Sequence, residues 1–235
     1  MPRGFDTTRD ITPQVAAVKA ANYDFVARYL SQSHWKVIGT GEAAAIAAAG
    51  LALVLVYEDG PTASDYFSFG RGQADGIRAA QQASLIGAGA GSVLYFAVDY
   101  DAASSDISGI ITQYFNGVAG ALKSFAAANG AAYSPGVYGS GATCSTIAST
   151  GLARCGWLAQ STGWAGHDTY SDWSIRQGMP GVIAGLSVDP DDAIGDFGAI
   201  VSPTQTTWPA SGTWSTPLVP ESIRTSLPDS IPRAL

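Results

Sequence analysis

The chain is poor in the residues that build metal and redox centres. It has two cysteines, Cys144 and Cys155, and two histidines, His34 and His167. No Cys-x-x-Cys pair is present, so neither a Cys/His zinc site nor another metal site is expected. The cysteines leave two readings open, one disulfide or two buried thiols. Charge is also scarce. Only 13% of residues are Asp, Glu, Lys or Arg, and the net charge is −7. No basic stripe exists for nucleic acid, and the acidic balance gives no pull toward an anionic surface. Long apolar runs are lacking too. The nearest is Ala43–Val56, which Gly50 divides into a helix-like half and a strand-like half, so no membrane span is expected. Met1-Pro2-Arg3 leads straight into strand-like residues, without a leader pattern. The Gly70–Gly76 stretch (GRGQADG) lacks the GK[ST] ending of a phosphate loop, and no GxSxG elbow occurs. Ser161, His167 and Asp168 do not make a relay, because neighbouring His and Asp cannot adopt its geometry. Asp189–Asp196 (DPDDAIGD) misses the Gly and Glu positions of a calcium loop, so helix capping or loop bonding is the expected role there. His34 reads as a loop residue. No cofactor is called for by any of these stretches.

What is present is a large apolar fraction, 46% of 235 residues, enough for one α/β domain of barrel or doubly wound size. Ser92–Asp101 (SVLYFAVDYD) is its centre. Val93, Tyr95, Ala97, Asp99 and Asp101 alternate with Leu94, Phe96, Val98 and Tyr100, and both sets are apolar until the acids arrive. A strand apolar on both faces belongs in a parallel sheet covered by helices. Around it the chain alternates. Strands are expected at Gly4–Thr8, Phe25–Leu30, Leu51–Asp59, Pro135–Ser140 and Cys155–Ser161. Helices are expected from Thr12-Pro13, at Gly41–Gly50, Gly72–Gly87, Ser105–Asn129 and Ala142–Thr150. After Ser161 the helices stop, and only short strands follow at Trp173–Gln177 and Leu186–Asp189. Five strand–helix units and three further strands predict a TIM-like barrel of irregular (β/α)5(β)3 form over 1–202, with an open doubly wound sheet as the alternative. Beyond about Pro203 the composition turns to Pro, Ser, Thr and Trp, and 203–235 reads as a tail or linker.

The positions of the acids carry the functional reading. Asp6, Glu58, Asp59, Asp99, Asp101 and Asp189 fall at the C-terminal ends of expected strands, which in a parallel barrel gather at one mouth. Carboxyls crowded there raise one another's proton affinity, so that one stays protonated while another ionises. Glycoside hydrolysis needs that division of labour. Aromatic and amide side chains fit the same reading. Tyr57, Tyr138, Trp157 and Trp164 offer faces for sugar rings, and Gln160 and Gln177 offer groups for hydroxyls. Arg28 and Arg176 are expected to pair with the acids and to keep some of them ionised.

GFD at the start, FAVDYD in the middle, WLAQ before the closing strands and SVD near the end form an ordered set. On that set, the chain resembles the Rv2525c-like glycoside-hydrolase-like family of actinobacterial secreted proteins over about Gly4–Val201. That family is similar in turn to the GH25 lysozymes, which are muramidases. The resemblance implies a (β/α)5(β)3 barrel, an extracellular or cell-envelope location, and a cell-wall glycan or related polysaccharide as partner. GH25 enzymes carry Asp-x-Glu on the central strand, with the Glu as proposed acid. By position Asp99 takes the Asp, Asp101 the Glu, Asp6 the first-strand Asp and Asp189 the last-strand Asp. Asp101 is one methylene shorter than Glu, which sets its carboxyl roughly 1.5 Å further back. On the resemblance, Asp101 or Glu58 is therefore the expected acid. Asp99 would stabilise charge developing at the sugar, and Asp6 and Asp189 would hold water or substrate. A non-catalytic glycan-binding or cell-envelope module is the alternative. A barrel acting on another small molecule stays open as well.

Overall fold

The computed structural model describes residues 1–200; the expected tail lies outside the described residues. The described residues form nine strands: β1 (Arg3–Asp6), β2 (Phe25–Leu30), β3 (Ala52–Tyr57), β4 (Val93–Ala97), β5 (Ser134–Gly139), β6 (Cys155–Leu158), β7 (Ile175–Gln177), β8 (Gly181–Ile183) and β9 (Leu186–Ala193). β1 to β7 are parallel in sequence order. β9 runs antiparallel between β7 and β1 and closes the sheet, which excludes the open alternative. β8 pairs only with β9, as a short hairpin beside the barrel.

Helices follow the first five strands: α1 (Val15–Ala20), α2 (Thr40–Ala48), α3 (Phe69–Leu85), a run from α4 (Ser104–Asp106) through a π-helical stretch (Ile107–Ile111) into α5 (Thr112–Asn129), and α6 (Gly141–Ser149). Local chemistry explains several of the boundaries. The Ser68 and Ser140 hydroxyls accept the backbone N–H groups of Arg71 and Thr143, each at 3.1 Å, and so cap α3 and α6. Gly130 ends α5 in the left-handed region at φ 74°. α3 and α5 touch backbone to backbone: a side chain at Gly72 or Gly117 would collide with the carbonyl of Tyr114 or Phe69.

Strand alternation splits the core in two. Leu53, Leu55, Leu94, Phe96 and Val137 face outward and are covered by the helices. Phe25, Ala27, Val54, Val56, Tyr95, Trp157 and Ile175 face inward and fill the barrel, so it is a packed core with a mouth and not a pore. The chain after β9 turns under the floor. Phe197 packs on Phe25 at 5.0 Å, Val93 N–H reaches Gly198 O at 3.1 Å, and Ile200 bridges Leu53. Cys144 and Cys155 are both buried free thiols. Cys144 sits in the outer core on α6 and Cys155 in the inner core on β6, so the strand wall separates them. No helix among the described residues is long and apolar enough to cross a membrane.

Candidate active site

A cavity of about 190 Å³ opens at the C-terminal ends of the parallel strands. Asp6, Glu58, Asp99 and Asp189 stand on its wall, with Tyr138, Trp157, Gln160 and Gln177 from the expected sugar-binding set. Their convergence follows from strand parity. Asp6, Glu58 and Asp99 share the inward register of Phe25, Val56 and Ala97, the residues that fill the barrel below them.

Asp189 arrives by a different route from the one expected. β9 continues to Ala193 and runs downward, so Asp189 enters the mouth near the start of a strand. It is the ladder partner of Asp6. The expectation of helix capping or loop bonding for Asp189–Asp196 is corrected accordingly, since most of that stretch is barrel wall.

Four expected site residues, and two neighbours argued with them, lie elsewhere. Asp101 follows the end of β4 on an exposed loop, and its Oδ1 accepts the Ala165 N–H at 2.8 Å. No ladder holds the alternation beyond Ala97, and it fails between Asp99, which lines the cavity, and Asp101, which turns to the Ala165 loop. Arg28 points outward and is 1% exposed. Its Nε and Nη2 meet Glu42 Oε1 and Oε2 at 2.6 and 3.0 Å, and Nη1 donates to the Thr7 carbonyl. It ties β2 to α2 and to the end of β1 and does not pair with the cavity acids. Tyr57 and Asp59 also point outward. Asp59 accepts the Tyr57 hydroxyl at 2.6 Å, the Gln32 N–H at 2.8 Å and the Ser31 hydroxyl. Burial opposes ionisation of Asp59, but these bonds prevail and hold its pKa below the usual range. Trp164 is a half-buried loop residue that does not line the cavity, and Arg176, in β7, is exposed with its guanidinium over the Trp173 ring at 5.1 Å.

Three residues absent from the sequence-based set complete the site. Tyr29 lines the cavity, and its hydroxyl donates to Asp6 Oδ1 at 2.7 Å. Lys36, nearly buried, donates to Glu58 Oε1 at 2.8 Å and sits 5.0 Å above the Tyr29 ring. Asp191 lies inside the barrel, two residues on from Asp189, and accepts the Trp157 indole N–H at 3.0 Å. Its Oδ2 is buried without a partner among the described residues. The Asp-x-Asp spacing at 189–191 held the signal for it, since residues two apart in a strand share a face.

Hydrogen bonds run around most of the wall. Tyr138 O–H donates to Gln177 Oε1 at 3.0 Å, and Gln177 Nε2 donates to Asp6 Oδ2 at 2.7 Å. Burial nevertheless outweighs both bonds to Asp6 and, with the like charges of Asp189 and Glu58, pushes its pKa up to about 7. Burial and the Glu58 charge raise Asp99, with Lys36 pulling the other way. Burial raises Asp189 as well. Burial and Asp6 hold Asp191 well above the carboxylate range. Burial and the neighbouring acids keep Tyr29 and Tyr138 as neutral hydroxyls. Asp99 stands apart from this ring, since no donor among the described residues reaches its carboxyl.

An irregular barrel with carboxyls of unequal proton affinity at its mouth defines a class, the glycoside-hydrolase-like barrels. The chain belongs to the Rv2525c-like, glycoside hydrolase-like domain family, whose pattern matches residues 16–191. Among curated relatives it is 31% identical over 181 residues to the uncharacterized protein FadG of Bacillus subtilis (strain 168) and 32% identical over 214 residues to YbfG of the same organism. These matches take in 73% and 83% of this chain but only 31% and 29% of the relatives, so the chain spans less than a third of their length. The Mycobacterium tuberculosis Tat-secreted protein Rv2525c, solved with L-tartrate, shares the fold with a TM-score of 0.71 at 19% identity, over 84% of this chain and 98% of that one. The modular autolysin LytC of Streptococcus pneumoniae, solved with a synthetic peptidoglycan ligand, has a TM-score of 0.52 at 12% identity, over 81% of this chain and 46% of that one.

Proposed function

We propose that this domain is a glycoside hydrolase of the cell envelope that acts on peptidoglycan or a related amino-sugar polymer. The observation that carries the reading is the contrast between Asp99, raised in pKa with no donor to its carboxyl among the described residues, and Glu58, held by an ammonium group at 2.8 Å. The first suits a proton donor and the second an ionised carboxylate. Asp99 would give its proton to the glycosidic oxygen as the C–O bond breaks. Glu58 would stabilise positive charge at the anomeric carbon and take a proton from the water that attacks it. Solvent would then return the proton to Asp99. This reading departs from the roles expected for Asp101 and Glu58, either of which was to be the acid, and for Asp99, which was to stabilise charge. Asp6 and Asp189, with Tyr29 and Gln177, would hold sugar hydroxyls or water. The family, the fold shared with a peptidoglycan-liganded autolysin and the Tat-secreted neighbour support the substrate class and location. Incubation of the purified protein with peptidoglycan, followed by assay of new reducing ends, tests it. No release by the wild type over long incubation, or equal release by an Asp99→Asn variant, would overturn it.

One observation favours the alternative of a non-catalytic glycan-binding module. The acid on the central strand expected from the resemblance is Asp101, which is exposed and bonded to Ala165. Glycan binding without turnover would select that reading.

A further inference from the structure

Trp35 is 73% exposed, whereas Trp157 is 1% exposed. Its loop is held from both sides. Upstream, Gln32 N–H and Nε2 bond Asp59 at 2.8 and 2.9 Å and Ser33 N–H bonds the Ser31 hydroxyl at 3.0 Å, while Lys36 N–H bonds Ser33 O at 3.2 Å across Trp35. Downstream, Ile38 N–H bonds Tyr29 O at 3.0 Å. The residue next to Trp35, Lys36, reaches Glu58 and covers the Tyr29 ring, two groups of the cavity wall. An indole in water adds nothing to the fold, and ordering a loop around it costs conformational entropy. A pinned loop that presents such a ring is a preorganised contact surface.

Size and charge narrow the ligand. The cavity, at about 190 Å³, is below the range for drug-sized ligands and has room for little more than one pyranose ring. Its walls are acidic, which disfavours anions. A polymer that places one ring in the cavity must carry its next rings out over the rim loops, and the loop bearing Trp35 dips into the wall through Lys36. A neutral indole meets the apolar C–H face of a sugar. We propose that Trp35 is a second sugar-binding position, stacking a ring of the same glycan chain outside the cavity. This rests on the reading of the cavity as a glycan site. It adds that the substrate is a chain of several residues gripped at two places.

Titration with β-1,4-linked N-acetylglucosamine oligomers, from monomer to hexamer, tests the proposal in wild type, Trp35→Ala and Trp35→Phe. The wild type should bind longer oligomers more tightly than the monomer. Trp35→Ala should lose about tenfold of that gain and leave monomer binding unchanged, while Trp35→Phe keeps most of it. Length-dependent binding that Trp35→Ala leaves intact would overturn the second position and spare the cavity reading. No binding of any oligomer by the wild type would overturn both.

Discussion

Lys36 Nζ lies 2.8 Å from Glu58 Oε1, and the same ammonium sits 5.0 Å over the Tyr29 ring, whose hydroxyl bonds Asp6. One cation thus touches two neighbouring groups of an acidic mouth. Its removal would leave Glu58 to face Asp6 and Asp99 without a counter-charge. We expect Lys36→Met to lower glycan release roughly tenfold or more, and Lys36→Arg to restore part of it, because positioning and charge stabilisation both fail without the ammonium. Initial rates on solubilised peptidoglycan, with the fold checked by circular dichroism, measure this.

Asp99 and Asp101 should respond in opposite ways. Asp99→Asn removes the proposed proton donor and should reduce release by about 10²–10⁴-fold with binding retained. Asp101→Asn keeps an oxygen for the Ala165 N–H and should leave release within about threefold of wild type, since surface changes of this kind are usually mild. Equal losses in the two variants would return Asp101 to the mechanism.

Arg28→Met should act on stability and not on the site. It strands Glu42, 4% exposed, with no cation, and breaking a buried pair costs about 3–5 kcal/mol. Denaturant titration should show the loss, while oligosaccharide affinity of the folded fraction stays the same.

Stability should fall as pH rises. Burial lifts Asp6 from the ordinary carboxylate range to about 7, so the folded chain holds a proton that the unfolded chain releases near pH 4. The stability linked to this proton is fully present below about pH 4 and is lost as pH climbs through about 7. Asp191 is shifted in the same direction and adds to the trend. Asp191→Asn mimics the neutral acid and can still accept the Trp157 N–H. It should match wild type near pH 4 and melt at a higher temperature than wild type at pH 8. A wild-type melting temperature flat from pH 5 to 8 would contradict this account.

The residues at the cavity divide by how local their cause is. Asp6, Glu58 and Asp99 were legible because each sits on a strand with clear alternation or within two residues of its end, and the alternation carries that far. Asp101 and Tyr57 were misplaced for related reasons. Parity was carried past the strand end in the first case, and in the second a strand-end aromatic was assigned to the mouth although its parity is outward. Arg28 shares that outward parity, yet its partner Glu42 belongs to a helix that no short-range pattern links to β2. Tyr29 was in reach of the parity argument, since it shares a face with Ala27. Lys36 was not, because its loop has no period.

Alternating strands and helices, inward acids at strand ends and the absence of metal-binding spacing were all encoded locally, since backbone periodicity and residue chemistry act over a few positions. The closing of the barrel by an antiparallel β9, the meeting of Asp189 with Asp6, and the capture of Glu58 by Lys36 depend on segments far apart in the chain. Only packing brings those together, because their energies come from shared burial and from charges that interact across space.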